Sequence, residues 1–139
     1  MFAIDRDRFP FVDHPLGEAT VQEIHLELIR RSQHNLFDGE DVLEDLLEKR
    51  DLWQAVLFDA PGLDGGRSSR LIKLRDMSAD VYNVDTLYIL AASEAAAQRL
   101  AAFGESWFAD WVEVYDEDTT CHVLGSSREQ GRLVAMWWD

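Results

Sequence analysis

TLYILAASEAAAQRLAAFG, residues 86–104, is the stretch on which the fold turns. Its first half, TLYILAAS, is apolar and rich in residues that suit a pleated, half-buried surface, and it predicts a strand. The second half changes character. Ser93 stands where an N-cap belongs, the alanine-rich run that follows has strong helical propensity, and Gly104 reads as the stop. This marks one strand–helix unit, and the flanking sequence does not repeat it. Two helical segments and two strands precede it, and a meander of strand candidates follows. Without a βαβαβ alternation a doubly wound parallel sheet is disfavoured. The expectation is α+β: a mainly antiparallel sheet of about five strands with two or three helices packed on one face.

Upstream, GEATVQEIHLELIRRSQ carries a capping box, Thr20 with Glu23, and Val21, Ile24 and Leu28 at helical spacing. Ile24, Leu26 and Leu28 also alternate as a strand would, so residues 19–31 are read as helix with the strand pattern still open. FDGEDVLEDLLEK, residues 37–49, reads as a helix capped by Asp38, with Val42, Leu43, Leu46 and Leu47 on one stripe opposite the carboxylates. LWQAVLF (52–58) reads as a buried strand, APGLDGGRSSR as a loop, and LIKL as another strand. The first dozen residues suit an extended arm or edge strand, limited by Pro10 and Pro15.

Downstream, DWVEVYD, TCHVLGS and RLVAMWWD are three strand candidates, joined through DEDT and SREQG as short connections. Trp137 and Trp138 must point to opposite faces of the last strand, one into the core and one to a sheet edge or a partner.

The chain has 139 residues, which suits a single domain spanning 1–139. Its hydrophobic fraction of 47% supports an independent core. It has no signal-peptide pattern and no apolar run of membrane length, and its lone cysteine, Cys121, gives no disulfide framework, so the cytoplasm is the default compartment. Thirteen basic residues stand against twenty-seven acidic ones, a net charge of −14. Such a surface repels nucleic acid and anionic lipid and favours either simple solubility or a basic partner.

Residue-level chemistry is sparse. His14, His25, His34 and His122 are scattered without metal-ligand spacing, and Cys121 and His122, adjacent on a predicted strand, would face opposite ways. YDEDTT lacks the spacing of a calcium loop. PGLDGGRSSR lacks the phosphate-loop order, and no nucleophile elbow surrounds the serines at 126–127. No metal or cofactor is expected, and no catalytic residue is assigned. Arg67, Arg70, Lys73 and Arg75 form the main basic cluster, read as offsetting the protein's own carboxylates.

The acidic segments remain. Glu40, Asp41, Glu44, Asp45 and Glu48 lie on the second helix. Its like-charge pairs at 40/44, 44/48 and 41/45 cost together about 0.6–1.5 kcal/mol, offset by the helix dipole and by an expected Asp45–Lys49 pair. Asp110, Glu113, Asp116, Glu117 and Asp118 form a second group, interleaved with Trp107 and Trp111 as aromatic anchors. The expected function is an acidic interaction module that binds a basic protein surface, as an inhibitor or immunity protein for a nuclease-like toxin or a nucleic-acid mimic would. The alternative is a small enzyme or ligand-binding domain whose pocket is lined by Trp53, Tyr82, Tyr88, Trp107, Trp111 and Trp137. Catalysis is the less favoured of the two. The functional expectation requires the two acidic groups to meet on one face.

Overall fold

The computed structural model describes residues 15–60, 71–128 and 130–139. Helix α1 (Val21–Arg31) opens on the expected capping box: the Thr20 hydroxyl accepts from the Glu23 amide, and Glu23 Oε1 accepts from the Thr20 amide. The segment is helix, and its buried side is Glu23, Leu26, Glu27 and Ile29 rather than the expected stripe of Val21, Ile24 and Leu28. A short ribbon follows, β1 (Gln33–His34) pairing with β2 (Phe37–Asp38) around a tight turn at Asn35 and Leu36. Helix α2 (Gly39–Glu48) starts directly from it, with Asp38 Oδ1 accepting from the amides of Glu40 and Asp41. Gly39 is required by close approach, because a Cβ there would lie 1.9 Å from the Ile29 carbonyl oxygen.

The rest of the chain runs β3 (Trp53–Asp59), α3 (Ile72–Asp76), β4 (Thr86–Ala91), α4 (Glu94–Ser106), β5 (Trp111–Val114), α5 (Glu117–Leu124) and β6 (Arg132–Trp137). The main sheet has the order β3-β4-β6-β5 with every neighbouring pair antiparallel. Strands β4 and β5 are therefore parallel to each other and joined through α4, with β6 inserted between them, a split β-α-β arrangement.

Two rows of residues in register make the core face of this sheet: Val56, Ile89, Val134 and Val114, then Phe58, Leu87, Met136 and Val112. Helices α1 and α4 pack on that face, and α2 packs against α1. Phe37 dives from the ribbon into the core and stacks on Phe58 at 4.4 Å, with Trp138 edge-on at 4.7 Å. This buried trio ties the ribbon to the end of β6, a contact that neither segment could form alone. The indole of Trp53 donates to the Leu46 carbonyl at 2.8 Å and thereby fixes the end of α2 against β3. At the outer edge of β3, the Gln22 side-chain amide donates to Val56 O and accepts from Val56 N. It satisfies the amide and carbonyl of Val56 in the way a neighbouring strand would, which blunts the edge at that residue.

Several local expectations are corrected. The main sheet has four strands and a separate ribbon has two, while the described residues hold five α-helices rather than two or three. LIKL is the body of α3, and TCHVLGS belongs to α5. The residues of TTCHV favour strands, yet Asp116 caps the Thr119 amide, Glu117 and Asp118 sit in the first turn, and Gly125 closes the end. DEDT is thus a helix start, and Cys121 and His122 are neighbours on a helix. Helix α5 does not join the others: its Leu124 borders Leu90 and Leu133 on the second face of the sheet. Gly104 is not the stop of α4 but lies within it, where a Cβ would stand 2.4 Å from Val112 Cγ2. Trp137 and Trp138 do take opposite faces, Trp138 in the core and Trp137 half-buried with its indole donating to Asp85. The expected N-terminal arm and most of the loop at 61–70, with Arg67 and Arg70, lie outside the described residues.

Candidate partner-binding surface

The predicted residues fall in three places. Helix α2 carries Glu40, Asp41, Glu44 and Glu48, all exposed, and Asp45, half-buried. Asp45 does not serve Lys49 as expected. Its Oδ2 accepts from the Trp107 indole nitrogen at 2.7 Å, a bond across 62 residues of sequence. That bond places the acidic side of α2 beside the end of α4, with Glu105 and Asp110 close in sequence to the indole. Trp107 itself is only 4% exposed. It stacks on Phe103 at 5.2 Å and accepts at its carbonyl from the Trp138 indole, so it fastens helices together and is not displayed to a partner.

Trp111 and Glu113 lie on the second face of the sheet, in register with Trp137 and Ala135. Trp111 is 43% exposed there. Asp116, Glu117 and Asp118 lie beyond the other end of β5 from Asp110. Asp116 caps α5, and the backbone and side-chain hydrogen bonds from Thr119 hold its carboxyl below the ordinary range. Glu117 approaches Arg132 at 3.7 Å. Two members of this third group, Asp116 and Glu117, are thus engaged locally.

Charge on α2 is only partly compensated. Arg30 reaches Glu40 at 3.5 Å, but its main partner is Glu27, which it shares with Arg31. Among the described residues no lysine or arginine forms an ion pair with Asp41, Glu44 or Glu48. Lys73 and Arg75 are committed to Asp59 and Asp76. The Arg75 and Asn83 hydrogen bonds bring the Asp76 carboxyl down to about 2.

One feature of this surface escaped the sequence. Between the ribbon turn and the end of α4 lies an open cleft of about 260 Å³, lined by Leu36, Asp38, Asp41, Val42, Trp107 and Phe108 among others. Its two apolar rims are displayed to solvent, Leu36 at 67% and Phe108 at 61% exposure. Phe108 adopts φ 58°, the left-handed region. The Phe108 amide donates to the Glu105 carbonyl and the Ala109 amide to the Gly104 carbonyl, the pattern that closes a helix through a left-handed residue. Glycine fits that position freely, whereas a residue with a Cβ is strained there by about 1–2 kcal/mol. No glycine marks the site, so the sequence signal was an absence: a helix end followed by Trp107, Phe108 and Ala109.

The aromatics of the alternative reading do not share a pocket. Trp53 and Trp107 are buried in the core, Tyr82 borders a depression with Leu28 and Met77, and Tyr88 borders another with Leu57 and Leu90. Among the described residues no group of three His, Cys, Asp or Glu side chains is placed to hold a metal ion, and no helix is long and apolar enough to cross a membrane. Comparison with family models, with curated proteins and with solved structures finds no match to this chain.

Proposed function

We propose that the protein is an interaction module that engages a basic protein surface through the carboxylates of α2 and the adjoining end of α4. The observation that supports this most is the Trp107–Asp45 hydrogen bond, which fastens the acid-bearing helix α2 to the end of α4. Complementary charge of this kind accelerates encounter and selects partners by sign. An inhibitor of a cationic enzyme, immunity proteins included, is one kind of protein that would use such a face. Helix α2, packed on α1 and tied to the end of α4 through Asp45, presents its carboxylates at one-turn spacing without a folding step on binding.

The test removes equal charge from two places. Association with a labelled arginine-rich peptide is followed by stopped flow at low and high salt for Glu40→Gln/Asp41→Asn/Glu44→Gln and for Asp116→Asn/Glu117→Gln/Asp118→Asn. The first variant is expected to slow association and flatten its salt dependence, and the second to leave both near the parent's. Equal responses would mean that net charge alone attracts the peptide, and the α2 surface would lose its claim.

A further inference from the structure

We propose that Phe108 and Leu36 are the apolar anchors of this surface, gripping an amphipathic basic segment of the partner. An apolar side chain of that segment enters the cleft between them while its flanking lysines or arginines meet Asp38 and Asp41. The inference rests on the reading above and names the chemistry that the partner must carry.

Phe108 gains little burial from its position, since the residue stands 61% exposed. It also gains nothing from its backbone, since φ 58° suits glycine better than any aromatic residue. Residues held in sparsely populated backbone regions cluster at functional sites, and aromatic side chains, Phe included, are enriched at protein interfaces. Leu36 faces it across the cleft from the tip of a ribbon whose next residue, Phe37, is locked in the core. Both rims are therefore displayed from fixed supports, which lowers the entropy lost on binding.

Charge selects the occupant. Asp38 and Asp41 line the cleft, and Asp41 has no ion-pair partner among the described residues. A second copy of this chain would bring two acidic helices together, and nucleic acid or anionic lipid would meet like charge. A basic segment with one protruding apolar residue satisfies both the cleft and its rim.

Two synthetic helical peptides of identical charge test this, one with leucine and arginine on a single face and one with serine in place of leucine. Fluorescence anisotropy gives their affinities for the parent, Phe108→Gly and Leu36→Ser, and thermal unfolding gives stability. The expected result is tighter parental binding of the leucine peptide, lost by roughly tenfold or more in Phe108→Gly, with the serine peptide unaffected by that change. Phe108→Gly is also expected to melt at a higher temperature than the parent. Parental binding that ignores the leucines, undiminished binding by Phe108→Gly, or a lower melting temperature for that variant would overturn the anchor. If the anchor fails while the α2 charge variant still slows association, the electrostatic reading survives alone. If neither substitution matters, both fall.

Discussion

Helices α4 and α5 end in the same way and spend different residues on it. At the end of α5 the Gly125 amide donates to the His122 carbonyl and the Ser126 amide to the Cys121 carbonyl. At the end of α4 the corresponding donors are Phe108 and Ala109, on Glu105 and Gly104. The left-handed residue is Gly125 at φ 66° in one and Phe108 at φ 58° in the other. The chain thus places glycine where only the turn matters. Phe108 occupies an equivalent turn beside a cleft, which is why its side chain rather than its backbone needs explaining.

The two ends differ in what holds them. The end of α4 is bolted by Trp107, which is buried, stacked on Phe103, and hydrogen-bonded to Asp45 and to the Trp138 indole. At the end of α5 Leu124 is 40% exposed, and no atom lies within 4 Å of where a Cβ on Gly125 would stand. Trp107→Ala is therefore expected to give the largest loss, about 3–5 kcal/mol by denaturant unfolding. A loss well under that range would mean that the left-handed end of α4 forms without its tertiary fastening.

A smaller effect sharpens the comparison at α5. No atom would obstruct a Cβ on Gly125, so Gly125→Ala isolates the backbone cost of a left-handed residue. It is expected to destabilise by about 1–2 kcal/mol. An unchanged unfolding midpoint would show that this turn tolerates side chains freely. The strain assigned to Phe108 would then lose its parallel.

The same pair of helix ends shows what the sequence could reveal. Caps are local, so Thr20 with Glu23, Asp38 and Ser93 could each be recognised from a few residues, and α1, α2 and α4 followed. Helix α5 was hidden because Thr119 to Val123 favour strands, and its identity depends on Asp116 and Gly125 at opposite ends. The insertion of β6 between β4 and β5 is a pairing of distant segments that no local pattern encodes. At the surface, the abundance of acids was plain, but their division was not. The Trp107–Asp45 bond joins two of the segments, while the local engagements of Asp116 and Glu117 remove a third. Trp107 announced itself as an aromatic anchor and proved structural, whereas its neighbour Phe108 and the other predicted anchor, Trp111, are both exposed.

The helices also differ at their beginnings, and there the expected effect is smallest. Helix α4 is capped by Ser93, whose hydroxyl accepts from the Ala96 amide and carries no charge to titrate. Helix α5 is capped by the carboxylate of Asp116, accepting from Thr119. Those bonds hold the Asp116 carboxyl below its ordinary value of 3.8 in the folded chain. A depressed carboxyl contributes stability that is present above 3.8 and disappears as pH falls through the folded value. On acidification, amide exchange in the first turn of α5 is therefore expected to accelerate below pH 3.8, relative to the first turn of α4, after correction for intrinsic rates. Asp116→Asn keeps an oxygen acceptor but cannot titrate, so it should abolish the difference. If the acid response of α5 persists in that variant, its source is another carboxylate, and the two helix starts would not differ by their caps.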